Sequence, residues 1–173
     1  MEALQAILTR RSIRTFTNDP VSPEDVRTML EAAMAAPSAG NEQPWQFVVV
    51  KARDVLDEVP TFHEHAGMLR EAPLAVLICG DARLTRYDVF WPQDCAAATQ
   101  NLLLAAHASG LGAVWIGVYP VEGLIRRLRE MLALPPEVTP FALVAVGHPA
   151  EEKPPAGRFD EGRIHYERWE GKG

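Results

Sequence analysis

Residues 94–112 read DCAAATQNLLLAAHASGLG, and this stretch limits the fold most. After Asp94 it carries no Asp, Glu, Lys or Arg, and its spacing predicts a helix from about Asp94 to Ser109. A helix that is apolar almost all round has no face to give to water. It belongs in the interior, of one subunit or between two. It is not a membrane span, because no window of the chain reaches the ~20 apolar residues a bilayer needs. Gly110 and Gly112 stop the helix, and Asp94 reads most simply as its N-cap. A chain of 173 residues is long enough to bury such an element in one hydrophobic core.

The rest of the pattern supplies what would cover it. Leu4, Ile7 and Leu8 fall on one face of a short N-terminal helix. SPED places Ser22 at an N-cap, Pro23 at the first helical position and Asp25 three residues after the cap. Val26, Met29, Leu30 and Ala33 then follow at helical spacing. QFVVV (46–50), LAVLIC (74–79), AVWIGV (113–118) and FALVAVG (141–147) read as short buried strands. Short helices are expected within 52–69, and an amphipathic one carries Leu124, Ile125, Leu128, Met131 and Leu132. After Gly147 the chain becomes proline-rich and charged, an exposed extended connection. IHYERW (164–169) then alternates like an edge strand. Strands and helices alternate without clean βαβ spacing, so the expected class is α+β: one mixed sheet with helices packed around it. No repeat or internal boundary divides residues 1–173.

Net charge is −6 and the isoelectric point about 5.4, which argues against a general nucleic-acid binder. The N-terminus has no secretory pattern, since its apolar run is broken by Gln5 and precedes the charges. Cys79 and Cys95 lie in apolar surroundings and read as small buried hydrophobes. A cytoplasmic location is the expectation, with no membrane partner.

Within this acidic chain, RRSIRTF (10–16) gathers three arginines around a serine. Guanidinium forks match phosphate or carboxylate oxygens in pairs. Arg10 and Arg14 are four apart and share a face if the helix runs through them. The alternative is a cationic helix end that offsets the macrodipole. APSAGNEQPWQF (36–47) is a turn-rich link in which Ser38, Asn41 and Gln43 can donate and accept. They could meet the edge of a heteroaromatic ring, or simply satisfy their own loop. GLGAVWIG (110–117) lets backbone approach a flat ligand but is neither a dinucleotide fingerprint nor a P-loop. His63 and His65 point apart on a helix, so no metal site is expected there.

RRSIRTF, SPEDVRTMLEAAMAAPSAGNEQPWQFVVV, DCAAATQNLLLAAHASGLGAVWIG and VAVGHPAEEKPPAGRF, in this order, resemble the nitroreductase family of FMN-dependent oxidoreductases. The resemblance runs from about Leu4 to Trp169. It implies an intertwined homodimer with FMN at the subunit interface and a C-terminal arm, about 149–173, packing on the partner. It implies that Arg10, Arg11, Ser12 and Arg14 bind FMN, that Pro37, Ser38, Ala39, Asn41 and Gln43 lie by the isoalloxazine of the partner's site, and that Trp115, Ile116 and Gly117 pack near the ring. It also implies that Arg158 joins the phosphate site. Ala156 stands where many members carry lysine, which leaves open whether Lys153 substitutes. Phe90, Trp91 and Trp115 could wall the ring or serve ordinary packing. Lys51, Arg83 and Arg86 are the cations available for a 2'-phosphate.

The activity implied is ping-pong hydride transfer from NADH or NADPH through FMN to an electron-poor acceptor such as a nitroaromatic or quinone. FMN carries the chemistry, with no catalytic side chain. The same fold also admits flavin fragmentation, dehalogenation, substrate dehydrogenation or a non-enzymatic flavin carrier.

Overall fold

The computed structural model describes residues 1–169. Four strands form one sheet: β1 Trp45–Val50, β2 Leu74–Asp81, β3 Gly112–Gly117 and β4 Val138–Gly147. Their order is β1-β2-β4-β3, and every pair among them is antiparallel. The parallel element is a single bridge, Ser12 on Ala113 at the β3 edge. Five helices accompany the sheet: α1 Ala3–Thr9, α2 Pro23–Met34, α3 Arg53–Phe62, α4 Trp91–Ala108 and α5 Glu122–Met131. Among the described residues, no helix is long and apolar enough to cross a membrane.

Side-chain alternation along β2 explains the layers. Leu74, Val76 and Ile78 point to one face and join Met29 and Ala33 of α2 with Cys95, Ala98, Leu102 and Ala106 of α4. Ala75, Leu77 and Cys79 point to the other, with Leu56 and Val59 of α3 and Ile125 and Leu128 of α5. A central strand covered on both faces needs apolar residues throughout. This is why β2 and β4 read as continuous runs and not as alternating ones. Burial holds both cysteine thiols above their ordinary value, Cys79 at about 12, so neither is reactive.

Local rules hold where they are local. Ser22 Oγ accepts the Asp25 N–H at 3.0 Å at the start of α2. Gly110, at φ +79°, closes α4: its N–H donates to the His107 carbonyl at 3.0 Å, and the Leu111 N–H to the Ala106 carbonyl at 2.8 Å.

Three expectations are corrected. The helix does not run through Arg10 and Arg14. It ends at Thr9, and the chain continues extended, with the Ile13 N–H donating to the Ala113 carbonyl at 3.1 Å. Ile13 is buried there against β3. A Cβ on Gly112 would stand 2.7 Å from Ile13, so glycine is what admits this approach. Asp94 is not the N-cap of α4. The helix begins at Trp91 with Pro92 in its first turn, and Asp94 lies inside it. Residues 164–169 form no strand. A short 3-10 turn at Glu161–Arg163 precedes them, and Glu167 has φ +62°, which breaks any extended run. Residues 170–173, the end of the expected arm, lie outside the described residues.

Candidate functional site

The β3 edge carries the site's cations. Arg10 caps the end of α1 and is half-buried; Arg11 donates to the Pro154 carbonyl. Burial, then the charges of Arg158 and Arg11, lower the Arg10 pKa below its ordinary value. Among the described residues, no carboxylate pairs with Arg10, Arg11, Arg14 or Arg158 within 4.0 Å. His107, in the last turn of α4, is also lowered, by burial and then by Arg10. Cations gathered at one place without a counter-charge raise each other's energy, and an anion relieves that.

The rest of the chain fixes the strip that bears them. The Thr17 N–H donates to the His148 carbonyl and the Ala150 N–H to the Thr15 carbonyl, both at 2.9 Å. Glu151 Oε1 accepts the Arg14 N–H at 2.5 Å and the Lys153 ammonium at 2.9 Å. Lys153 also donates to the Ser12 carbonyl at 2.9 Å. The Arg14 N–H, then Lys153, hold the Glu151 carboxyl below its ordinary value. Lys153 therefore spends its charge on Glu151 and on the backbone of Ser12. In this arrangement it braces the arginine strip.

Arg14 faces a cleft of about 580 Å³. Trp115, Ile116 and Gly117 form one wall, at the end of β3. His65, Met68 and Glu71, from the turn after α3, are among the residues of the other. These were not singled out in the sequence as cleft residues. HEH drew notice only as metal ligands, whereas His63 turns inward and His65 outward. Trp91 belongs to packing: a Cβ on Gly80 would lie 2.3 Å from its ring. Trp115 is half-buried against Phe141, with ring centroids 5.6 Å apart.

Pro37, Ser38, Ala39, Asn41 and Gln43 do not line this cleft. Their loop largely satisfies itself. Ser38 Oγ accepts the Gln43 N–H at 3.0 Å, and Asn41 Oδ1 accepts from Gln43 Nε2 at 3.0 Å. Asn41 and Gln43 both sit at positive φ, 57° and 50°. The outside tie is Asp94, 6% exposed, whose Oδ1 accepts the Ala39 N–H at 3.0 Å. Its Oδ2 is buried without a partner among the described residues. The segment after β2 packs on the loop: the Arg86 N–H donates to Glu42 Oε1 at 2.9 Å, and Tyr87 lies against Gly40.

Fold and site together define an α+β protein with an antiparallel sheet and an unpaired arginine cluster near a cleft lined by the glycine end of β3. Comparison with known proteins gives the particular family. The model of the nitroreductase family matches residues 7–66 and 57–148. A relative from Methanothermobacter thermautotrophicus, named "Putative NADH dehydrogenase/NAD(P)H nitroreductase", is 45% identical over 98% of this chain and 88% of its own. A crystal structure of the same name from Parabacteroides distasonis superposes with a TM-score of 0.93 at 38% identity, covering 96% of this chain and 98% of that one. A structure from Desulfovibrio desulfuricans, "a putative nitroreductase in complex with fmn", has a TM-score of 0.84 at 36% identity, covering 98% and 99%. The chain belongs to the nitroreductase family.

Proposed function

We propose that the chain is an FMN-dependent oxidoreductase that carries hydride from NADH or NADPH to an electron-poor acceptor, a nitroaromatic or quinone, in a ping-pong sequence. The observation that carries this reading is the cluster of Arg10, Arg11 and Arg158. They stand together without a counter-charge at one end of a strip whose Arg14 faces the cleft. The phosphate of FMN is the right charge for the cluster, and a flat ring suits the Trp115–Gly117 wall.

FMN, when bound, supplies the redox chemistry by accepting hydride from a nicotinamide and passing it to the acceptor. The protein's part is placement and electrostatics. Arg10, Arg11, Ser12 and Arg158 hold phosphate and ribityl oxygens. Arg14 favours negative charge developing in the cleft. No side chain needs to give or take a proton.

The working unit of this reading is a homodimer. Leu4, Ile7 and Leu8 are 74%, 53% and 69% exposed, beside a groove lined by Ala32, Ala35 and Leu104. Phe159, Tyr166 and Trp169 are exposed along the arm. A second copy would cover this apolar surface. It would also give Pro37, Ser38, Ala39, Asn41 and Gln43 a role, since they lie away from their own cleft and would reach the partner's ring.

The test is the visible spectrum of the purified protein with FMN, then anaerobic addition of NADH or NADPH. Bleaching of a bound-flavin spectrum, restored by a quinone, is the expected result. Bound flavin that does not bleach would overturn the reaction. No flavin binding would overturn the cofactor.

A further inference from the structure

His63 ends α3 and is 5% exposed. Its backbone N–H donates to the Val59 carbonyl, and its carbonyl accepts the Ala66 N–H, both at 3.0 Å. Both ring nitrogens also have partners. Nε2 lies 2.8 Å from the Gly117 carbonyl, and Nδ1 lies 3.3 Å from the His65 backbone nitrogen. A carbonyl only accepts and a backbone N–H only donates, so the partners dictate the tautomer. Nε2 carries the proton and Nδ1 is bare.

Filling space does not require this arrangement. A Phe or Leu would occupy the volume without two polar atoms to satisfy. The ring instead ties together two residues that both line the cleft but come from different elements, Gly117 of β3 and His65 of the segment after α3. Gly117 is the exposed last residue of β3, and nothing lies within 4 Å of where its Cβ would stand. Its backbone stands opposite Ala142 at the last position of the β3–β4 ladder, and the hydrogen bond from the buried ring adds a second hold on its carbonyl. On the other side, Nδ1 accepting the N–H two residues on mimics an Asx turn and shapes the turn that carries His65.

We propose that His63 is a positioning residue of the flavin site: its neutral Nε2–H tautomer fixes the Gly117 peptide against the His63–Gly67 turn and so sets the width of the cleft. This rests on the FMN reading above. A site held within a fraction of an ångström by buried supports binds a rigid ring better than a looser one.

The experiment compares full-length wild type with His63→Gln, His63→Asn and His63→Phe. FMN dissociation constants, the visible bands of the bound flavin and melting temperatures are measured for each. Gln reaches as far as Nε2 and keeps the donor to Gly117. Asn keeps only the acceptor for the His65 N–H. Binding by His63→Gln is expected to stay within about threefold of wild type. In His63→Phe it should weaken roughly tenfold or more, on the scale seen for residues that orient a binding group, with displaced flavin bands. Wild-type binding and bands in His63→Phe would overturn the proposal, and so would His63→Gln binding as weakly as His63→Phe. If His63→Phe does not fold, tighter binding by Gln than by Asn supports the proposal, and equal binding overturns it. Imidazole nitrogen NMR of wild type should show protonated Nε2; protonated Nδ1 overturns the assignment. Failure of the FMN reading is distinguishable, because it appears in wild type before any variant.

Discussion

Residues 10–16 are held by the rest of the molecule, whereas residues 37–43 are held largely by themselves. The arginine strip takes its bonds from Ala113, His148, Glu151 and Lys153, partners about a hundred or more residues away in the chain. The Ser38–Gln43 loop closes on its own side chains, with Asp94 as its buried outside tie. The strip therefore presents its cations at a place set by the sheet. The loop presents a preformed shape that can be carried as a unit to another surface. The strip adjoins the cleft of its own chain, whereas the loop does not line it.

The largest expected effect breaks the first half of that contrast. Replacing Arg10 with alanine removes a half-buried cation that has no protein counter-charge. FMN binding should weaken by about 2–4 kcal/mol, roughly 30- to 1,000-fold, the usual loss for a charge-assisted contact with an anion. The flavin-free protein should be no less stable, since repulsion from Arg158 and Arg11 is relieved. Titration with FMN and melting of the flavin-free protein separate the two. Equal losses in both would mean that Arg10 only supports the fold.

The same division governs what could be read from the sequence. The four strands, the SPED cap and the buried α4 came from patterns within a few residues, and each stands near its expected bounds. The two central strands, β2 and β4, have continuous runs because the sheet is covered on both faces. The direction of Arg10 and Arg14 was not legible, because Ile13 docks on β3 about a hundred residues later. Glu151 reads as an ordinary linker charge and Lys153 as a candidate substitute for the basic residue missing at Ala156, and their targets are 137 and 141 residues away. His63 reads in sequence only as one of two histidines that point apart, with no metal site expected, and its partner Gly117 lies 54 residues on. Asp94 sits where a cap could stand, so local chemistry offered a simpler answer than the tie to Ala39.

Asp94 sharpens the second half of the contrast. Asp94→Ala leaves the half-buried Ala39 N–H without its acceptor, which costs about 1–3 kcal/mol. Asp94→Asn keeps the acceptor and turns an amide toward the unpartnered side, so it should lie within about 1 kcal/mol of wild type. Urea unfolding at fixed protein and FMN concentration measures both. If Ala and Asn behave alike, the loop does not depend on this bond and is held by its own side chains and by the segment carrying Arg86 and Tyr87.

The smallest effect lies in the brace under the strip. Glu151 has its carboxyl held below the ordinary 4.5 by the Arg14 N–H and then by Lys153. A carboxyl with a lower pKa folded than unfolded stabilises the fold above the unfolded value. That contribution disappears as pH falls through the folded value. The window therefore opens below about pH 4.5 and not near neutrality. Glu151 is partly exposed, so solvent screens the pair and the effect stays small. Glu151→Gln keeps an acceptor for the Arg14 N–H but removes the charge opposite Lys153. Its stability should track wild type more closely as pH falls below 4.5, because the group no longer titrates. Chemical denaturation across pH 3–6 reads this directly. A wild-type acid limb left unchanged by the substitution would show that the strip is held by its backbone bridges to His148 and Ala113, with the carboxylate adding nothing.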